Sequence, residues 1–297
     1  MNRPHPIVHG SSLRERHIHR VDGLYLLTRR APMRNHRFTD IHGIPPLSFD
    51  ALADAGFVIG SGTDRERAYR LEIGVNDIEL LDRRETDELC TALGRWGTAL
   101  AVLHSISPDR EIGEPPARTR FRQWWRNGDE LSIGRRGARE RFLKLLTDTS
   151  RDFVDVLLST PLDTGPTVLL HGWARLGQSM TAPDRTRFLL GEDIGAGPPE
   201  FDLATLVAEL IERAVIVRSI RIDAVRAAHR TLLAAYEAHG TVPLSEELVD
   251  GFIVEALARH VGDFITFAQF DAGWDRVGLE EFAQLINRLV DDGGSNP

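Results

Sequence analysis

The chain has 297 residues, 42% of them hydrophobic and 27% charged, with a formal net charge of −8. That is enough length and apolar content for one large or two-lobed globular domain, and it excludes a wholly disordered chain. A single cysteine, Cys90, excludes an internal disulfide and a cysteine metal cluster, and no apolar run reaches the ~18–20 residues of a membrane span.

Strand patterns come first along the chain, over residues 5–10, 17–21, 23–28, 57–60 and 68–73. Turn formers separate them at Asp22-Gly23, Pro45-Pro46 and Gly60-Ser-Gly62. Ser48 is placed as the N-cap of a short helix over 49–55. Residues 73–77 read as a linker. Beyond it, apolar residues recur at helical spacing over 86–103, 139–146, 151–158, 203–217, 222–239, 246–267 and 279–290. Two short strands, 168–171 and 187–190, interrupt the helices. There are no internal repeats, and only the tail from 291 onward reads as loose. The start, Met1-Asn-Arg-Pro-His-Pro6, lacks the apolar core of a signal peptide, so a cytoplasmic location is expected.

Charge is uneven. Residues 118–144 carry nine basic side chains against three acids, and residues 246–297 carry eleven acids against three arginines. Two solvated faces would give this pattern, and so would a basic surface for an acidic peptide or protein partner. The basic segment also contains an aromatic pair, Trp124 and Trp125, among Arg118, Arg120, Arg122 and Arg126, followed by Arg135, Arg136 and Arg139. Tryptophan and arginine dominate binding hot spots, which makes these residues the candidate partner surface. The competing reading buries the tryptophans in the core and leaves the arginines in water. No nucleic-acid motif is present, so neither nucleic acid nor a membrane is an expected partner.

The order of a small β-rich part, a linker and a helical part bearing a hairpin converges with two local motifs. Leu169-Leu-His-Gly-Trp-Ala-Arg-Leu-Gly-Gln-Ser179 resembles the catalytic loop of the aminoglycoside phosphotransferase and choline kinase superfamily, typically HGDLHPGN. Phe188-Leu-Leu-Gly-Glu-Asp-Ile-Gly-Ala-Gly-Pro-Pro-Glu-Phe-Asp-Leu-Ala204 resembles its next segment, typically IDWEDAGxGPPEYDLA. The helix ending in Val102-Leu-His-Ser105 is similar to one that closes on a Leu-His pair in that family. The resemblance implies an α+β, bilobal protein kinase-like fold. Its small β-rich N-lobe and interlobe linker would span 1–77, and its larger, mostly α-helical C-lobe 78–297.

The departures from the family pattern set the expected function. Trp173 stands where the family has its catalytic aspartate, Gln178 where it has a magnesium-binding asparagine, and Leu190 where it has the metal-binding aspartate. The family's phosphate-holding lysine would fall at Thr28, with Arg29 and Arg30 just beyond, and the only lysine, Lys144, lies far downstream. His171 keeps the start of the loop. Asp202 matches an aspartate that braces it. Glu72 falls where the interlobe linker would offer backbone groups to adenine, so Thr28, Arg29 and Glu72 are the candidate nucleotide contacts. Glu192 and Asp193 are either displaced metal ligands or charges near a turn.

Loss of base, lysine and metal acid together implies no phosphoryl transfer, because that reaction rests on positioning and charge neutralisation. The resemblance therefore implies a pseudokinase with no metal or cofactor of its own. It would act as a binding or accessory subunit, with degenerate relatives serving ribosomal-peptide natural-product pathways of the thioamide, lanthionine and aminovinyl-cysteine type. The alternative is a divergent ATP- and Mg-dependent phosphotransferase acting on a hydroxyl. Under either reading Trp173 is expected in the interlobe cleft.

Overall fold

The computed structural model describes residues 15–21, 24–30, 37–39, 44–71, 75–76, 86–108, 112–128, 133–162, 166–181, 185–267 and 274–292. The strand expected over 5–10 and the nucleotide candidate Glu72 lie outside them.

In the N-terminal part β1 (Glu15–Val21) and β2 (Leu24–Arg30) form an antiparallel pair. A short helix, α1 (Phe49–Asp54), leads to β3 (Phe57–Ile59), β4 (Ser61–Gly62) and β5 (Glu66–Leu71). Ser48 precedes α1 as expected, but it belongs to a 3-10 turn over Pro46–Ser48 and its side chain makes no capping hydrogen bond. The first sheet has the order β1-β2-β5-β4. Alternation along β2 and β5 buries Leu27, Arg29, Arg67, Tyr69 and Leu71 while leaving Arg30 and Arg70 exposed, the period-two signature of a sheet with one covered face.

The expected linker is partly a strand. β6 (Val75–Asn76) pairs antiparallel with β8 (Ser179–Thr181), and β3 pairs in parallel with β9 (Thr186–Leu190), giving a second sheet of order β3-β9-β8-β6. Backbone ladders therefore tie the N-terminal strands to both sides of the β8–β9 hairpin. A third, two-stranded sheet joins β7 (Val168–Leu170) to β10 (Gly195–Gly197).

The helical part contains α2 (Thr86–His104), α3 (Pro116–Arg126), α4 (Ile133–Leu145), α5 (Asp148–Ser159), α6 (Glu200–Val215), α7 (Ile222–His239), α8 (Glu246–Phe267) and α9 (Trp274–Asp291). α5 starts with an N-cap bond, Ser150 N donating to Thr147 Oγ1 at 3.1 Å. α2 and α7 pack closely because Gly97 lets them: a Cβ there would lie 2.4 Å from the Leu232 carbonyl oxygen. The main core runs through α2, α6, α7 and α8 around fully buried Trp96, Leu203, Leu232 and Ile265. No helix among the described residues is long and apolar enough to cross a membrane.

Candidate functional site

The two motif segments meet at one place, between the covered face of the first sheet and the core of the helical part. Asp202, at the start of α6 and completely buried, sets the shape of the loop after β7. Its Oδ2 accepts from His171 N at 2.6 Å and its Oδ1 from Gly172 N at 2.9 Å, while His104 Nε2 lies 3.2 Å from Oδ2. His104 is the histidine of the Leu-His pair closing α2, and its Nδ1 sits 3.1 Å from the Tyr236 hydroxyl. Gly172 has φ +75°, and a Cβ on it would fall 1.8 Å from the Asp193 carbonyl oxygen. Only glycine fits this turn.

His171 is sealed behind Trp96 and Phe57. Its Nε2 lies 2.9 Å from the Leu189 carbonyl, so Nε2 carries the proton, and Nδ1 accepts the Trp173 backbone N–H at 3.3 Å. Burial lowers its pKa and outweighs the nearby Asp202, which leaves it neutral at pH 7 with both ring nitrogens engaged. It is a structural residue of the loop.

On the N-terminal side two of the nucleotide candidates, Thr28 and Arg29, lie on β2. Thr28 and Arg29 point to opposite faces of β2, and Arg29 is the one on the covered face, 1% exposed. Its Nη1 donates to Glu192 Oε1 at 3.0 Å and to Gln178 Oε1, and its Nη2 donates to the Gly177 carbonyl at 2.9 Å. The Tyr69 hydroxyl donates to the same Glu192 oxygen at 2.9 Å, and the Tyr69 ring lies 6.0 Å from the guanidinium. One strand over, Arg67 donates to the Gly191 carbonyl at 3.0 Å. The candidates Gln178, Glu192 and Arg29 are thus brought together as one buried ion-pair and hydrogen-bond network. Leu190 is completely buried in apolar surroundings on β9, and Asp193 is held by Arg120 Nη1 at 3.0 Å.

This arrangement is not that of a magnesium site. Magnesium wants near-octahedral oxygen ligands at about 2.0–2.1 Å. Here the Gln178 and Glu192 oxygens are directed at a guanidinium, the Asp193 carboxylate at another, and Leu190 has no donor. Among the described residues no group of three or more His, Cys, Asp or Glu is arranged to hold a metal ion.

Trp173 is half-buried, and its indole stacks near Arg175 and Arg259, at 5.5 and 5.6 Å. These contacts lie on the helical side, where the residues lining a small pocket include Trp173, Arg175, Glu209, Glu212, Arg259 and His260. Arg175 donates to His260 Nδ1 at 2.7 Å and to Glu212 Oε2 at 3.3 Å, and His260 Nε2 sits 3.1 Å from Glu212 Oε1. Burial alone would raise the Glu212 pKa, but His260 and Arg175 outweigh it and bring it down to about 2. The carboxylate is therefore favoured in the fold over an unfolded value of 4.5. Its contribution is complete above that value and is lost as pH falls toward 2. We expect Glu212→Gln to cost on the order of 3 kcal/mol at pH 7. In urea unfolding the gap between variant and parent should shrink steadily from pH 5 to pH 3, and a pH-independent gap would reject the assignment.

The expected basic surface is corrected by the structure. α3 is an amphipathic helix that turns Ala117, Arg118, Phe121, Trp124 and Trp125 inward. Trp124 stacks on Phe121 at 5.8 Å and belongs to the main core together with Trp125. Arg118, 1% exposed, donates to Glu255 at 3.1 Å, Glu114 at 3.2 Å and the Leu157 and Thr160 carbonyls at 2.6 and 3.2 Å. Arg120 holds Asp193, and Arg122 holds Glu114 at 2.6 Å and the Leu158 carbonyl at 2.8 Å. Arg139 donates to the Trp124 carbonyl at 2.7 Å and to the Trp125 carbonyl, capping the end of α3. Arg126 and Arg136 are exposed, and Arg135 is half-buried. Tyr69, Glu114, Glu255 and Arg67 were not legible as site residues. The inward stripe of α3, at positions 117, 118, 121, 124 and 125, was the available signal for Arg118.

Solved kinase structures share this fold. Amicoumacin kinase in complex with AMP-PNP, Ca2+ and Ami aligns over 99% of this chain and 89% of that one, at 11% identity and a TM-score of 0.59. Choline kinase from Cryptosporidium parvum aligns over 97% of this chain and 90% of that one, at 12% identity and a TM-score of 0.55. Choline kinase from Streptococcus pneumoniae aligns over 96% and 91%, at 13% identity and a TM-score of 0.54. No protein-family model and no curated protein sequence matches the chain.

Proposed function

We propose that this kinase-like chain does not transfer phosphoryl groups and works as a binding or accessory subunit for a peptide or a partner enzyme. The observation that carries this reading is the Arg29 guanidinium bonded to Gln178, Gly177 and Glu192. By the family resemblance, Gln178 stands where a magnesium ligand would be, and here its oxygen accepts from the protein's own cation. Two further losses point the same way. Trp173 has no basic atom to accept a hydroxyl proton, and neutral His171 has no ring nitrogen to spare. Phosphoryl transfer needs both charge neutralisation and positioning of the nucleophile. A place in ribosomal-peptide modification rests on fold analogy alone.

A divergent phosphotransferase is the second reading, favoured by the company the fold keeps, since kinases share it and one was solved with a nucleotide analogue. It requires Arg29 to leave Glu192 so that Glu192 and Asp193 face a metal. An ADP-release assay with Mg-ATP, together with calorimetric titration of ATP, separates the two. We expect no turnover and weak or absent ATP binding. A phosphorylated product that disappears in Glu192→Ala and Asp193→Ala would establish the second reading instead.

A further inference from the structure

We infer that the face where α5 meets the start of α8 is a docking surface for a basic amphipathic helix of a partner protein. The inference rests on the binding-subunit reading and names the chemistry of the partner. Six large hydrophobic side chains are exposed among the described residues, and three of them, Phe153, Val156 and Leu248, lie on these two helices. Single exposed apolar side chains are ordinary, whereas adjoining ones mark a surface that meets something. Gly251 brings the helices together here: a Cβ on it would lie 3.3 Å from a Leu157 methyl and 4.0 Å from the Phe153 ring. Val156 follows Phe153 by one turn, and Gly251 follows Leu248 by one turn, so the exposed side chains sit beside that contact on both helices. Val156 stands out furthest, at 65% exposure.

Acids edge this apolar patch. Asp152 and Asp155 are exposed beside Phe153 and Val156, and Glu246, Glu247 and half-buried Asp250 surround Leu248. The excess is in the sequence itself. Residues 148–165 hold four acids and one arginine, and residues 240–252 hold three acids and no base. That arginine, Arg151, is bonded to Asp148. Burial first and Glu246 second raise the Asp250 pKa, which marks a carboxylate with an acid beside it. An apolar centre with carboxylates along its edges matches a helix that carries an aliphatic stripe flanked by Lys or Arg. Two adjoining helices also offer the ridges and grooves on which a third helix packs. A second copy meeting this face through the same face would set these acids against themselves. The net charge of −8 extends the attraction for a cationic partner beyond contact.

The test is fluorescence anisotropy with fluorescein-labelled peptides of about 18 residues, long enough to form a helix. One has Leu at helical spacing with Lys between, one is the same composition scrambled, and one replaces every Lys of the first by Glu. The periodic Leu/Lys peptide should bind saturably, and each of the others at least roughly tenfold more weakly. Val156→Gln with Leu248→Gln should weaken the Leu/Lys peptide roughly tenfold without moving the melting temperature, since both side chains are exposed. Asp152→Lys with Glu247→Lys should weaken it as much, through charge. The matched pair Asp54→Lys with Glu237→Lys, exposed acids on other helices, should leave it unchanged. Absence of saturable binding at about 1 mM peptide overturns the proposal. So does equal binding of either control peptide, indifference to either double variant of the patch, or equal weakening by the matched pair. Self-association of the parent chain that disappears in Val156→Gln with Leu248→Gln overturns it as well, and gives the face to a second copy. Mg-ATP turnover would overturn the non-catalytic reading while leaving the peptide result standing, so the two failures are distinguishable.

Discussion

Arg118→Ala should cost about 3–5 kcal/mol of folding stability, the loss typical of breaking a buried ion pair from one side. The side chain is buried at the junction of three helices. It neutralises Glu255 of α8, which is 1% exposed, and binds Glu114 and two carbonyls at the end of α5. Removing the guanidinium leaves a buried carboxylate without its main cation, because Arg259 Nη1 stands 4.0 Å from Glu255. For a domain of this size the loss corresponds to a fall in melting temperature of roughly 10 °C. Arg126→Ala and Arg136→Ala, both exposed, should stay within about 0.5 kcal/mol of the parent. Urea unfolding of the three variants checks this. A loss below about 1 kcal/mol for Arg118→Ala would return the residue to the surface.

Asp202→Ala should be of similar size, about 3–4 kcal/mol, and should act on the loop in particular. The carboxylate is fully buried and receives two backbone N–H groups, from His171 and Gly172, with His104 beside it. Alanine leaves both amides and the His104 Nε2 unsatisfied in a site that water does not reach. The Gly172 turn, which has φ +75° and presses on the Asp193 carbonyl, then loses its fixed point. Amide hydrogen exchange should show lost protection at His171 and Gly172, with α7 and α8 changing far less. Uniform loss across the fold, or none at the loop, would contradict the bracing role.

Local order explains which parts of the molecule were legible from residues alone. α7 and α8 appear with the bounds read from their apolar spacing, since each is a long amphipathic or buried helix whose period states its own type. The loop around His171 was placed by a short motif, but the two strands expected near it, β7 and β9, pair with β10 and β8, which were not expected, rather than with each other. Three things were not legible. Phase along β2 put Arg29, not Thr28, on the covered face, and one residue of register flips a side chain across the sheet. The partners of Arg29 lie 149 and 163 residues away, so nothing near it in the chain announced Gln178 or Glu192. The arginines of α3 looked like a solvated basic face, because a run of like charges carries no record of the acids that other elements bring to it. Periodicity thus determined most of the elements, and the resemblance of two short motifs to a kinase family implied the layout. Tertiary packing alone decided which charges are buried and what neutralises each. Burial and pairing depend on contacts between residues distant in the chain, and local pattern does not encode them.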